Sequence, residues 1–117
     1  MKHRNEAKSF SEIKIGDKAE FEAFIDEKMH NSFSEMFKDF SPIHCDDAFC
    51  LKTKFKKKIG YAFMLTGFLS RLYGEYLPGG RSICIKQTAN FIKPFFIGDK
   101  ITVVGEVAGK VESTKFV

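Results

Sequence analysis

The chain has 117 residues, enough for one domain with a single core, near the lower end of common domain sizes. Hydrophobic residues make up 44% and charged residues 29%, the balance of an ordinary globular protein, and much of the +4 net charge lies in one run, Lys52, Lys54, Lys56, Lys57 and Lys58. No stretch approaches the roughly 20 apolar residues of a membrane span, no apolar run follows Met1–Glu6 as in a signal peptide, and the lysine run lacks the aromatic interleaving or recognition-helix pattern of a nucleic-acid binder.

Residues 1–9 are polar and read as a loose segment. Gly16-Asp17 is a turn signal. Ala19, Phe21, Ala23 and Ile25 then alternate with Glu20 and Glu22, the period of a half-buried strand, with Phe24 breaking the polar side. Asp26 can cap the next segment, in which Met29, Phe33, Met36 and Phe37 form one helical stripe expected to face the core. Ser41-Pro42 breaks this helix, so Asp39 falls at a helix end and His44 beyond a turn, an acid and a histidine five residues apart. Asp46-Asp47-Ala48-Phe49 reads as a capped short helix.

The lysine run that follows is either a solvated loop or a landing patch for an anionic carrier. Tyr61–Tyr76 is an apolar helix, expected to be buried on most sides and roughly 24 Å long at about 1.5 Å per residue, with Ser70 its notable hydroxyl and Leu77-Pro78-Gly79-Gly80 its stop. From there the period changes to two. A long strand is expected over 82–92, a turn at Pro94 and Gly98-Asp99, a strand through Ile101, Val103 and Val107, and a further strand over 111–117. One long helix with a mostly antiparallel sheet is an α+β arrangement.

Fourteen Phe and no Trp suggest a core, or an apolar tunnel, padded with aromatic rings. Phe63, Phe68 and Phe91 would shorten such a tunnel. Cys45, Cys50 and Cys84 are odd in number and follow no disulfide framework. His44-Cys45 with Cys50 lacks the second ligand pair of a structural zinc site, so no metal is expected. Reduced thiols without an export signal point to the cytoplasm.

These residues resemble a known family, the hot-dog-fold MaoC-like dehydratases and (R)-specific enoyl-CoA hydratases. The family's Asp-x-Asn-Pro-x-His motif, followed by Asp-x-x-Phe, is matched by Asp39-Phe40-Ser41-Pro42-Ile43-His44 and Asp46-Asp47-Ala48-Phe49. Leu77-Pro78-Gly79 resembles the loop after the central helix, and Pro94-Phe95-Phe96-Ile97-Gly98-Asp99 the family's Pro-Val-x-x-Gly-Asp turn. The likeness covers residues 10–110 and needs no gap from Asp39 to Asp99. Ser41 stands where the family has Asn, and Tyr61-Ala62 where it commonly has His-Gly. Relatives continue through about one or two more strands past the position of Val117, which implies a short variant or an incomplete chain and, at the sheet, an open edge.

The resemblance implies a single hot-dog domain over 1–117, a curved antiparallel β-sheet wrapped around a long central α-helix. It implies homodimers with an acyl-thioester site at the interface. It also implies reversible hydration of a trans-2-enoyl-CoA, or the carrier-protein thioester, to the (3R)-3-hydroxyacyl thioester. Asp39 and His44 would be the acid–base pair. The backbone N–H of Ala62 would be the oxyanion donor, with Ser70 and Tyr61 beside the substrate. Lys56, Lys57 and Lys58 would face the phosphates of CoA or phosphopantetheine, which enter as part of the substrate with no separate cofactor. A hot-dog thioesterase would need a carboxylate on the central helix, where Glu75 is the acid present. An acyl-binding module without turnover is the other alternative.

Overall fold

The computed structural model describes residues 8–117. The loose segment expected over 1–9 and the Met1–Glu6 leader question fall, for residues 1–7, outside the described residues. Lys8 and Ser9 are in place. Lys8 Nζ donates to Asp17 Oδ2 at 3.2 Å and Ser9 Oγ to Glu12 Oε1 at 2.7 Å.

In chain order the elements are β1 (Lys18–Phe24), α1 (Glu27–Phe37), α2 (Pro42–Cys45), α3 (Asp47–Leu51), α4 (Ala62–Arg71), a π-helical turn over Leu72–Tyr76, and β2 (Lys100–Glu106). β1 and β2 pair in a two-stranded sheet. They run antiparallel: Gly16 N–H meets Val107 O at 2.8 Å at one end, and Ile25 N–H meets Asp99 O at 2.8 Å at the other.

The chain divides into two compact units, one of the residues up to Glu22 with Gly67–Thr88 and Thr102–Val117, the other of Ala23–Thr66 and Ala89–Ile101. In the first, Ile13, Leu77 and Val107 form a buried cluster with Ala19 and Tyr76 against it. Phe21 stacks on Tyr76 with ring centroids 5.0 Å apart, and the Arg71 guanidinium lies 4.2 Å over the Phe21 ring. Lys110 Nζ donates to the carbonyls of Phe10 and Ile13 at 2.7 and 2.6 Å.

In the second unit Ile25, Cys50, Tyr61, Met64 and Phe95 are buried. The chain before α4 is stitched down by Ile59 N–H on Ile43 O at 3.2 Å and Gly60 N–H on Phe95 O at 2.6 Å. Glycine is required at position 60, because a Cβ there would stand 2.3 Å from the Phe95 ring.

Local capping follows the sequence. Asp26 Oδ1 accepts from Met29 N–H at 2.8 Å at the start of α1, and Asp46 Oδ1 from Phe49 N–H at 3.0 Å at the start of α3. Asp99 Oδ2 takes the Phe96 N–H at 2.9 Å in the turn where Gly98 has φ 99°.

Four expectations are corrected. The face that α1 buries is polar: His30 and Ser34 are buried, whereas Met36 and Phe37 are 71% and 62% exposed. A hydrogen-bond network, described below, takes the place of the predicted apolar stripe. The helix after Tyr61 exists, but Phe63, Gly67, Ser70 and Arg71 are exposed, and its buried line is Met64 and Leu72. Residues 82–92 make no strand ladder with any described residue, and Ile83 and Ile92 are 86% and 87% exposed. Alternation alone does not make a strand; backbone partners do. Residues 111–117 form a turn closed by a Val111–Phe116 bridge rather than a strand.

Among the described residues no helix is long and apolar enough to cross a membrane.

Candidate active site

Asp39 and His44 sit on the connection between α1 and α3, and the local sequence explains how. Lys38 takes the left-handed conformation, φ 55°, and ends α1. Ser41 then precedes Pro42, which opens the one-turn helix α2 at a position where a missing N–H costs nothing. His44 lies on that turn.

The Asp39 carboxylate is bound locally. Its Oδ1 accepts from Ser41 N–H at 3.1 Å and, closer still, from the Ser41 hydroxyl. The hydroxyl, then the backbone N–H, and last the nearby His44 charge hold the Asp39 carboxyl below its usual value, so it is ionised across the neutral range. Ser41 therefore makes the turn bond itself.

His44 Nδ1 lies 2.8 Å from the Ile59 carbonyl. A carbonyl only accepts, so Nδ1 carries the hydrogen, and in the neutral ring Nε2 presents a lone pair. The imidazole also stacks on Tyr61, centroids 4.0 Å apart and planes at 28°.

Beneath this loop lies a buried polar network that sequence reading missed. The Tyr61 hydroxyl donates to Asp39 O at 2.7 Å and stands 2.6 Å from Ser34 Oγ and 3.4 Å from Cys45 Sγ. Burial, and then the Cys45 contact, push the Tyr61 phenol up to about 12, which keeps it a donor. His30 Nε2–H donates to His44 O at 2.8 Å, and burial pushes its imidazole down, so the ring is neutral. Cys50, fully buried, directs its thiol at Pro42 O and Ile43 O, 3.5 and 3.3 Å away, and burial pushes that thiol up. The available signal was spacing: His30 and Ser34 are four apart and share a helix face.

The remaining predicted residues are placed as follows. Ala62 is the first residue of α4, where backbone N–H groups lie outside the helix's own bonding. Tyr61 is 2% exposed with its hydroxyl committed inside the protein. Ser70 is exposed on α4. Of the lysines, Lys56 Nζ donates to Leu51 O at 3.2 Å, Lys57 Nζ lies 4.2 Å over the Phe96 ring, and Lys58 Nζ is 3.9 Å from Asp47 Oδ1. Phe63 meets Phe91 edge-on at 5.7 Å. Cys45, Cys50 and Cys84 are free thiols, and among the described residues no three His, Cys, Asp or Glu side chains cluster as a metal site.

The chain is similar to known proteins in sequence and in fold. The family model described as a MaoC like domain matches residues 10–117. An (R)-specific enoyl-CoA hydratase of Aeromonas caviae is 33% identical over 99 residues, covering 85% of this chain and 74% of that protein. One from Rhodospirillum rubrum is 33% identical over 108 residues, covering 92% and 75%. The solved (R)-hydratase from A. caviae involved in PHA biosynthesis superposes with a TM-score of 0.81 at 33% identity, over 86% of this chain and 76% of that one. The fold is therefore the α+β hot-dog expected from the sequence.

Proposed function

The chain belongs to the MaoC-like domain family, and from that premise we propose that it is a hydro-lyase, reversibly adding water to a trans-2-enoyl-CoA to give the (3R)-3-hydroxyacyl thioester. The observation that carries this reading is the state of the pair on one short loop: Asp39 ionised beside Ser41, and His44 with Nδ1–H fixed on Ile59 O and Nε2 open. That is an acceptor pair suited to hold and deprotonate a water.

In the hydration direction, Asp39 and His44 Nε2 bind the two hydrogens of the water. Its oxygen attacks the β-carbon as one proton passes to the pair. The α,β double bond shifts towards the thioester carbonyl, giving an enolate. The Ala62 N–H at the start of α4, at the positive end of the helix dipole, stabilises the enolate oxygen. The same pair returns a proton to the α-carbon, so water adds across one face. Dehydration retraces these steps.

Ser70 as a pocket residue, Tyr61 beside the substrate, Lys56, Lys57 and Lys58 near the carrier phosphates, the homodimer and a carrier-protein thioester as alternative substrate are supported by the family resemblance, and the cytoplasm as compartment by the free thiols. Tyr61's part is better read through its hydroxyl contacts than as a wall of the site, since it is 2% exposed.

Hydration of crotonyl-CoA, followed as loss of enoyl-thioester absorbance, tests the reading with Asp39→Asn alongside. Positioned acid–base groups contribute on the order of 10²- to 10⁴-fold, and the variant is expected to lose activity on that scale while folding normally. Full activity in Asp39→Asn overturns the assignment of the pair.

A further inference from the structure

His30 is a buried imidazole that the chemistry does not use. It is 1% exposed, and its Nδ1 is buried with no hydrogen-bond partner. An unpaired buried nitrogen weakens a fold relative to an apolar side chain of the same shape. Its one made bond is Nε2–H to the carbonyl of His44, at 2.8 Å. Tyr61 stands in the matching relation to the other end of the loop, giving its hydroxyl hydrogen to the carbonyl of Asp39 at 2.7 Å. Ser34, one turn along α1 from His30, lies 2.6 Å from the Tyr61 oxygen. The Tyr61 ring lies beside both histidine rings, 4.8 Å from His30 and 4.0 Å from His44 by centroid, with the two histidines 6.4 Å apart. Two buried donors therefore grip the backbone of the two residues that carry the acid–base pair. Neither donor touches the pair's reactive atoms.

We propose that His30 is a positioning residue for the hydration reaction: its Nε2–H bond to the His44 carbonyl fixes the turn of α2, and thereby the direction of the His44 Nε2 lone pair. The proposal rests on the hydratase reading above. The anchor belongs to a polar pair, His30 and Ser34, on the buried face of α1. A displacement of about 1 Å at a reacting group can cost on the order of 10²-fold in rate, so losing this anchor is visible in turnover. Substrate binding is expected to feel it little, because His30 lines no open surface.

The test compares His30→Met, which fills the space without a donor, with His30→Gln, whose side-chain amide can return a donor near the Nε2 position. Expected for His30→Met are a kcat lowered about tenfold or more, KM within about twofold, and a Tm equal to or above that of the parent chain. His30→Gln is expected to recover most of the lost kcat. Wild-type kcat in His30→Met overturns the proposal, and so does a His30→Gln as slow as His30→Met. A second readout is independent of turnover. The ¹⁵N shifts of the His44 ring should report a single Nδ1–H tautomer in the parent and in His30→Gln, and mixed tautomers in His30→Met. If the parent chain hydrates no enoyl-CoA, the hydratase reading fails, and the His44 shifts still decide whether His30 sets the ring: unchanged shifts in His30→Met sink the proposal.

Discussion

The connection from Asp39 to Gly60 and the extended segment over 82–92 are both without long regular structure, yet they are physical opposites. The first is tied by side chains to carbonyls at nearly every step: Tyr61 on Asp39 O, His30 on His44 O, Cys50 on Pro42 O and Ile43 O, and His44 on Ile59 O. Its backbone gives N–H to carbonyl bonds at Ile59 and Gly60. The second carries a cleaner sequence pattern, but every residue from 81 to 92 is exposed. Its side-chain bonds run within the segment, as from Gln87 Nε2 to Thr88 O and from Cys84 Sγ to Lys86 O at 3.6 Å, or reach a side chain, as where the Tyr73 hydroxyl donates to Gln87 Oε1 at 2.8 Å. Order comes from satisfied backbone groups, and a polar, irregular segment that satisfies them is more rigidly specified than an alternating one that does not.

The largest test of this difference strikes the tied region where it has least room. Gly60→Ala would put a methyl 2.3 to 2.6 Å from three atoms of the Phe95 ring, next to the 2.6 Å bond from Gly60 N–H to Phe95 O. Overpacking of this kind costs about 1–3 kcal/mol, sometimes more. Denaturant unfolding is expected to report a loss at the upper end of that range. A loss below roughly 0.5 kcal/mol, the scatter of surface substitutions, would mean that the ring moves aside and the connection is looser than its bonds suggest.

A smaller effect sharpens the account of the loop's charge. Asp39 is held ionised chiefly by the Ser41 hydroxyl and then by the Ser41 N–H. A carboxyl with a folded pKa below its unfolded value, about 3.9, adds stability above that unfolded value and loses it as pH falls through the folded one. Ser41→Ala removes the larger cause and leaves the N–H. The Asp39 carboxyl should therefore titrate at higher pH in a ¹³C-detected experiment, and the acid-side loss of stability, which sets in at the unchanged unfolded value, should be smaller and end at higher pH. An unmoved titration would show that the hydroxyl does not hold the charge.

Much of this is legible in the sequence, and the reasons are particular. Asp26, Asp46 and the Gly98-Asp99 turn were readable because capping and turn chemistry is local and each acid meets an N–H three residues on or back. β1 and β2 were readable because their inward residues, Phe21 and Val103 among them, are buried in the paired sheet. The Asp39–His44 loop was legible through a motif. His30 and Ser34 were not, because hydropathy assigns the buried face of a helix to its apolar residues, and here the partners that make a polar face acceptable, Tyr61 and the carbonyl of His44, lie 27 and 14 residues away in sequence. The strand over 82–92 was misread for the converse reason: period-2 alternation describes which side chains could face inward, and says nothing of whether a neighbouring backbone is there to bond.

The smallest expected effect belongs to that segment and decides whether its difference from the Asp39–Gly60 connection holds in solution. Ile83 and Ile92 are 86% and 87% exposed, so their side chains surrender almost no burial when replaced. Ile83→Lys and Ile92→Lys are each expected to change unfolding stability by no more than about 0.5 kcal/mol. Self-association by light scattering should fall, since an extended apolar edge with unpaired backbone groups templates pairing with other chains and lysine blunts it. A loss of about 2 kcal/mol from either change has a different meaning, because that is the scale of burying a whole isoleucine. Such a loss requires that something covers 82–92 in solution. The segment would then be as firmly specified as the Asp39–Gly60 connection, with the difference lying in where its partner comes from.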